Sequence, residues 1–259
     1  AGITCKLITS GFNPFVSTLF ALVGGLLAGL CTGLLHTKLK IPALLAGILT
    51  MTGLWSINLR VMGKSNIPLL RETSIITMLE NTGLNKNNAA IVAGLVLTVV
   101  VILFLWWFFS TEIGYSLRAT GNNKNMIRAN GVNTDNATIL GIMLGNGLIA
   151  LSASLVAQYN SFADIQMGVG TIVIGLASVI IGEVVFGSRT ILRSLIAVAL
   201  GSVLYRIIIA IVLRLGLRAD DMKLISSILL AVALCFPTVR NIAVKNLRNS
   251  VKRGGSTNA

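Results

Sequence analysis

Between Ala89 and Phe109 the chain reads AAIVAGLVLTVVVILFLWWFF, a stretch of twenty-one residues without a single charge. A helix needs about 20 mostly apolar residues to cross the hydrocarbon core of a bilayer. Lipid offers no hydrogen-bond partner to exposed backbone groups, and a helix satisfies these groups internally. The stretch therefore predicts a transmembrane helix, and with it the fold class, an all-α polytopic membrane protein.

Six further apolar runs surround this one. They are Pro14–Leu35, Pro42–Leu59, Ala137–Ala157, Met167–Phe186, Ile191–Leu213 and Leu224–Phe236. Only 11% of the 259 residues are charged, whereas soluble domains carry about 25%. About seven transmembrane helices are therefore predicted. In Met167–Phe186, recurrent glycines and Glu183 favour a broken or re-entrant segment, which membranes tolerate only where protein or water covers it.

The Lys and Arg residues between these runs indicate the orientation. One set of alternate loops, together with the tail from Arg240, holds twelve Lys and Arg against two acidic residues. The opposite set holds eight against five. Because cytoplasmic loops carry an excess of Lys and Arg, the first set and the C-terminus are predicted to be cytoplasmic. The net charge of +13 is thus a topology signal, and nucleic-acid binding is not predicted.

This orientation places Ala1 outside, and an odd number of spans then predicts that an N-terminal span is missing. A transmembrane domain is expected over residues 1–239 and a basic cytoplasmic tail over residues 240–259. Two connections are longer than simple turns. In the outer loop, residues 60–88, Ser74–Leu79 is expected to form a short surface helix. The inner loop spans residues 111–136.

Motifs for catalysis or nucleotide binding are missing from the sequence. It contains no Gly-x-x-x-x-Gly-Lys-[Ser/Thr] run, no His-Glu-x-x-His run and no Gly-x-Ser-x-Gly elbow, so neither a P-loop nor a hydrolytic centre is indicated. The single histidine, His36, is interpreted as a polar anchor at a helix end. Cys5, Cys31 and Cys235 lack metal-ligand spacing and are interpreted as packing residues. We therefore expect a chain that is not an enzyme.

Apart from Arg193, which is counted with the adjoining inner loop, two charged residues lie inside predicted spans, Glu183 and Arg206. Charges at such positions are costly and are candidates for function. The two residues fall at different depths, so a simple ion pair is not expected. We interpret them as structural intramembrane charges, buried or snorkelling, in preference to a proton relay.

Small and polar residues mark other spans. Glycines recur at four-residue spacing at positions 25, 29 and 33, and again at 141 and 145, a pattern that lets helix backbones approach closely in lipid. The span that contains Asn146 continues with Ser152 and Gln158. These polar side chains either hold helices together or line a transport pathway, and the sequence leaves both alternatives open.

The most specific segment is the inner loop, where Leu117–Thr134 reads LRATGNNKNMIRANGVNT. We expect a short helix here, with Asn122 accepting hydrogen bonds at its start and Gly131 supplying the left-handed residue at its end. A short amphipathic helix on the cytoplasmic face is either a docking element or an ordinary surface loop.

The pattern Arg-Ala-Thr-Gly-x-Asn-x-x-Met…Gly-Val-x-Thr resembles the coupling loop of ABC importer permeases of the branched-chain amino acid and ribose class. The residues that the resemblance assigns to coupling are Arg118, Ala119, Thr120, Gly121, Asn122, Met126, Gly131, Val132 and Thr134. Further matching stretches are Ile41–Leu54, Gly182–Gly187, Gly201–Arg206 and Leu215–Leu217. The resemblance covers essentially the whole chain and is greatest to tryptophan/tyrosine-type permeases of bacteria. Such permeases begin with another helix, and Ala1–Phe15 resembles the segment after that helix.

The resemblance implies a multi-pass subunit of the bacterial plasma membrane that pairs with a second permease, as a homodimer. Two cytoplasmic ATPases would bind ATP and Mg, so that this chain needs no cofactor, and the inner loop would receive their motion. An extracytoplasmic binding protein would deliver the solute, an aromatic or other hydrophobic amino acid, with a sugar or nucleoside as the alternative. Asn146, Ser152 and Gln158 are the pathway candidates. A stand-alone secondary transporter or channel is the competing hypothesis, although coupled charges and inverted repeats are not evident.

Overall fold

The computed structural model describes residues 1–214 except 71, 82, 84 and 188, together with positions 224, 227, 228 and 231. The predicted run Leu224–Phe236, apart from those four positions, the stretch Leu215–Leu217 and the tail from residue 240 lie outside the described residues. The elements of the described part are α1 Gly2–Thr9, α2 Pro14–Thr37, α3 Ala43–Met62, β1 Asn66–Pro68, α4 Ile75–Glu80, α5 Lys86–Phe109, α6 Glu112–Asn122, α7 Lys124–Ala129, α8 Thr134–Asn160, β2 Phe162–Asp164, α9 Thr171–Phe186 and α10 Ile191–Arg214. The chain divides into two compact units, Ala1–Met167 and Gly168–Ala259.

Five described helices, α2, α3, α5, α8 and α10, are long and apolar enough to cross a membrane. They confirm the predicted fold class, an all-α polytopic membrane protein. The sixth apolar helix, α9, has 16 residues and is shorter than a full span. It is continuous from Thr171 to Phe186, so the predicted break does not occur within it, and a re-entrant position stays a prediction. Gly170 and Gly187 instead flank the helix with positive φ angles of 89° and 74°, which explains their presence without an interruption of the helix.

The first unit is built around the antiparallel pair α2 and α8, whose backbones pack closely along their length. A Cβ atom added at Gly25 would lie 2.5 Å from the Cβ of Ala150, and one added at Gly29 would lie 2.6 Å from the Cα of Met143. The predicted role of the α2 glycines in close packing is confirmed. Gly145, by contrast, faces open space.

The two long loops lie at opposite ends of α8. At the end predicted to be outer, β1 and β2 pair antiparallel, with Ile67 opposite Ala163. The buried side chains of this end come from α1, the strands and the ends of α3 and α8; they include Cys5, Ile8, Met62, Leu69 and Ala157. Burial raises the pKa of the Cys5 thiol to about 11, so it stays protonated and packs as an apolar group.

Helix α4 confirms the short helix predicted in the outer loop. The Ser74 hydroxyl accepts from the Thr77 backbone N–H, and the Thr77 hydroxyl lies 2.6 Å from the Ser74 backbone nitrogen. This reciprocal capping box satisfies amides at the helix start that have no intrahelical partner. The helix therefore begins at Ile75.

Helix α5 is the most exposed of the spans. It packs against α4 at one end and against α6 at the other, and side chains between them such as Leu95, Leu103 and Trp107 are exposed. An apolar helix with an exposed apolar surface at membrane depth is suited to lipid contact. The uncharged stretch Ala89–Phe109 is therefore part of a membrane-facing helix.

The second unit pairs α9 with α10 through small residues. A Cβ atom added at Gly182 would collide with the carbonyl oxygen of Ala197, and one added at Gly201 would collide with that of Ser178. Ala177, Tyr205 and Ile209 form the buried cluster beside this contact. Close backbone approach therefore stabilises both units.

Candidate functional site

The inner loop folds into two consecutive short helices, α6 and α7, between α5 and α8. Thr111 caps the start of α6 by accepting from the Gly114 backbone N–H. Asn123 separates the helices and caps α7, since its Oδ1 accepts from the backbone N–H groups of Asn125 and Met126 at 3.1 Å each. The prediction that Asn122 is the cap is wrong by one residue. Asn123 has the extended backbone that a cap needs, with φ of −152°, whereas Asn122 is the last residue of α6.

The end of α7 agrees with the predicted pattern. Gly131 has φ of +80°, the left-handed conformation that glycine adopts without a steric penalty. Its N–H donates to the Arg128 carbonyl at 3.0 Å, and the Val132 N–H donates to the Ile127 carbonyl at 3.3 Å. These two bonds form a Schellman motif, which turns the chain sharply from α7 toward α8.

The guanidinium of Arg128 fixes α7 to the first turn of α8. Its Nε donates to the Thr134 hydroxyl at 2.7 Å, and its Nη2 donates to Asp135 Oδ1 at 3.1 Å. Asn133 caps α8 by accepting from the backbone N–H groups of Asp135 and Asn136. Asp135 also places a negative charge in the first turn of a helix, where it is stabilising. The Arg128 side chain thus connects α7 directly to the start of α8.

The predicted coupling residues come together in this element and divide into an anchoring and an outward-facing group. In the anchoring group, Thr120 and Thr134 are buried, and so is Ile127, a residue of α7 itself. Ala119 and Val132 are partly buried. The outward-facing group consists of Arg118, Gly121, Asn122, Met126 and Gly131, with Met126 54% exposed. We call residues 112–134 the inner element.

Sequence reasoning missed three residues that hold the inner element together, Asn123, Arg128 and Asn133. The two asparagines each stand immediately before a helix, which is a capping signal. The role of Arg128 depends on the turn at Gly131, which brings α7 back to the start of α8.

The pathway candidates on α8 have different surroundings. Ser152 is exposed, and Asn146 is half-buried with its Nδ2 donating to the Ile142 carbonyl at 2.9 Å. Gln158 is only 1% exposed. Its Oε1 accepts from the Ile75 N–H at 2.9 Å, and its Nε2 donates to the Thr18 hydroxyl at 3.0 Å. Of the two alternatives left open for these residues, Gln158 fits the first, because it holds α2, α4 and α8 together.

The remaining polar candidates belong to other elements of the chain. His36 Nδ1 lies 2.8 Å from the carbonyl oxygen of Ile41, which fits a polar anchor at the end of α2. Glu183 and Arg206 are both exposed on the second unit. Neither is buried by the described residues of the chain.

Comparisons with known proteins identify the family. The chain matches the family described as branched-chain amino acid transport system/permease component over residues 1–235. It is 41% identical to the tyrosine transport system permease protein of Clostridioides difficile (strain R20291), over 95% of this chain and 80% of the relative. It is 28% identical to the autoinducer 2 import system permease protein LsrC of Yersinia pseudotuberculosis serotype O:3 (strain YPIII), over 93% of this chain and 67% of the relative. No solved structure matches the chain.

The family match covers both units of the structure, the α2–α8 pair and the inner element included. These two relatives are permease proteins of transport and import systems by name, and the helices are those of a multi-pass membrane protein. The chain therefore belongs to the branched-chain amino acid transport system permease family, whose membership implies ATPase and substrate-binding partners, and is the membrane-spanning permease subunit of an ABC importer.

Proposed function

We propose that this chain is one of two identical permease subunits that import an amino acid by alternating access, and that the inner element is where a cytoplasmic ATPase docks. The ATPase binds ATP and Mg and hydrolyses the nucleotide, while this chain supplies the pathway. In this orientation the inner element and the C-terminus face the cytoplasm of a bacterial cell, and an extracytoplasmic binding protein delivers the solute to the opposite side.

One observation carries the docking role, the two-sided construction of the inner element. Its outward side exposes Met126 together with the basic residues Arg118 and Lys124. Its inward side is fixed by Ile127 and by the Arg128 bonds to Thr134 and Asp135. A docking element needs both an exposed contact and a rigid connection to a membrane helix.

An aromatic amino acid is the solute that the comparisons favour. The relative with 41% identity is named as a tyrosine transport system permease, and its match extends over 95% of this chain. A different small solute is the second candidate, favoured by the relatives that are named autoinducer 2 import permeases. Titration of the purified binding protein with tyrosine, tryptophan, leucine and ribose separates the two candidates.

The exposed face of α8 supplies the pathway residues. Gly145, Ile149, Ser152 and Val156 share that face and are exposed, on the side opposite the α2 contact. We assign Ser152 to the pathway, with Asn146 at its edge. Exposed hydroxyls at membrane depth are tolerated where water or protein covers them.

The docking role is tested by co-purification of the permease with its ATPase. Met126→Asp places a charge in the centre of the outward side and is expected to abolish association while leaving the fold intact. Phe12→Asp is the matched control, because Phe12 is 51% exposed and lies in the turn between α1 and α2, outside the inner element and the predicted apolar runs. Equal ATPase recovery with both variants would show that the ATPase docks elsewhere.

A further inference from the structure

A buried network of hydrogen bonds joins four helices at the outer end of the first unit. The Thr4 hydroxyl donates to the Ser154 hydroxyl at 3.0 Å, and the latter donates to the Thr18 hydroxyl at 3.0 Å. Thr18 in turn donates to the Pro14 carbonyl at 2.9 Å. The Gln158 amide completes the network by donating to Thr18 and accepting from the Ile75 backbone N–H. The hydroxyls of Ser154 and Thr18 thus each both donate and accept.

The bond to Ile75 is different from the others because its donor is a backbone N–H of a separate short helix. Ile75 is the first residue of α4, where an N–H has no intrahelical partner. Helix α4 has only six residues, too few for a helix to be stable without tertiary contacts. Besides its capping box and its packing against α5, α4 is attached by the buried Ile76 side chain and by Gln158. The amide of Gln158 therefore fixes the start of α4 to α8.

Helix α8 links this bond to the inner element. It is continuous for 27 residues, which corresponds to about 40 Å at 1.5 Å per residue. Its first turn is held by Arg128 of α7, and its last turn contains Gln158. Between these points, close contacts at Gly25, Gly29 and Gly33 of α2 run along its length. Helices packed at backbone distance move together more readily than they slide, because their interfaces are close-packed.

We infer that Gln158 is a positioning residue that makes α4 move with α8, so that docking-driven motion at the inner element reaches the outer surface through a single rigid helix. This inference rests on the proposed function of the inner element. A buried glutamine, 83 residues away from its partner in sequence, thus connects the two sides of the importer.

Hydrogen exchange and transport, measured on the same samples, test the inference. The permease, its ATPase and its binding protein are reconstituted with wild-type Gln158, with Gln158→Met and with Gln158→Glu. Methionine has a similar shape but places a methyl group where Gln158 has its acceptor. Glutamate in the protonated form, which burial favours, keeps both an acceptor for the Ile75 N–H and a donor for Thr18. Gln166→Met is the matched control, since Gln166 is an exposed glutamine near the same end.

In Gln158→Met we expect amide exchange in residues 75–80 to rise about tenfold or more, while exchange in residues 134–140 stays at the wild-type rate. Solute imported per ATP hydrolysed should fall about fivefold or more, with the hydrolysis rate kept within about twofold. Gln158→Glu should recover most of both properties, and Gln166→Met should behave as wild type. Unchanged exchange in α4, or a parallel loss of import and hydrolysis, would overturn the inference.

A measurement on the unmodified protein covers the case in which Gln158→Met does not fold. The wild-type peptide that contains Ile75 should remain protected from exchange in both the nucleotide-free and the ATP-trapped state, and loss of protection in either state would refute the link. If wild-type samples show no ATP-dependent import at all, the proposed function fails, while the exchange data still report separately on the α4–α8 bond.

Discussion

Single glycines determine how closely the helices of this permease approach one another. Gly25, Gly29 and Gly33 lie in the α2–α8 contact, where an added Cβ would meet backbone or Cβ atoms of α8. The spacing of four residues already indicates such a contact. The spacing alone does not show which glycines lie in a helix contact, because Gly145 belongs to the same kind of pattern and yet faces open space.

The first prediction concerns Gly29→Ala. The new methyl group would lie 2.6 Å from the Cα of Met143, so the helices must separate, and overpacking of this kind costs about 1–3 kcal/mol. Thermal unfolding in detergent should show a clear loss of stability. Gly94→Ala on the exposed helix α5 is the control, since nothing lies within 4 Å of the added methyl group. Equal unfolding temperatures for the two variants would contradict the packing described for α2 and α8.

Hydrogen-bond partners are the least predictable feature at the residue scale. The sequence marks Gln158 as a polar residue in a span, with two alternative roles. Its partner Ile75 belongs to a different loop, and no local pattern connects them. The predicted cap of α7 is misplaced by one position because Asn122 and Asn123 are adjacent and chemically identical, so only the backbone conformation distinguishes them.

At the scale of elements, apolar runs predict the cores of the spans but not their ends. The run Ala137–Ala157 lies within helix Thr134–Asn160, which is longer at both ends. The additions are polar residues held by the Asn133 cap and by the Gln158 bonds. Hydropathy detects the apolar middle of a helix, whereas capping and side-chain bonds determine where it begins and ends.

The second prediction tests the end of α7 with Gly131→Ala. A non-glycine residue at this positive φ costs about 1 kcal/mol, which strains the turn that holds the outward side of the inner element in place. ATPase affinity should fall about fivefold for such a change in free energy, as measured by titration in nanodiscs. Gly11→Ala is the control for strain alone. Gly11 also has a positive φ, +85°, but it lies in the turn before α2, outside the inner element. If both variants weaken ATPase binding equally, the turn has no special role in docking.

At the scale of the whole molecule, the charge bias of the loops predicts which side faces the cytoplasm. In the structure, α4 and the strands lie at one end of α8, and α6 and α7 lie at its other end. This arrangement agrees with the predicted orientation. The prediction for the C-terminus concerns residues outside the described part of the chain.

The third prediction concerns orientation. In a background without native cysteines, Asn81→Cys after α4 should react with a membrane-impermeant maleimide added to intact cells, and Asn125→Cys in α7 should react only after permeabilisation. Both asparagines are exposed, so accessibility to reagent depends on the side of the membrane alone. The opposite labelling pattern would reverse the assigned topology and remove the inner element from the reach of an ATPase.

The most direct test of the importer as a whole is solute uptake by proteoliposomes that contain the permease and its ATPase. With the binding protein added on the outer side, tyrosine uptake should require enclosed ATP and should disappear when the ATPase is omitted. Met126→Asp should abolish it, and Phe12→Asp should leave it at the wild-type rate. Uptake that persists without the ATPase, or that responds to an imposed proton gradient in place of ATP, would contradict an ATP-driven permease coupled through residues 112–134.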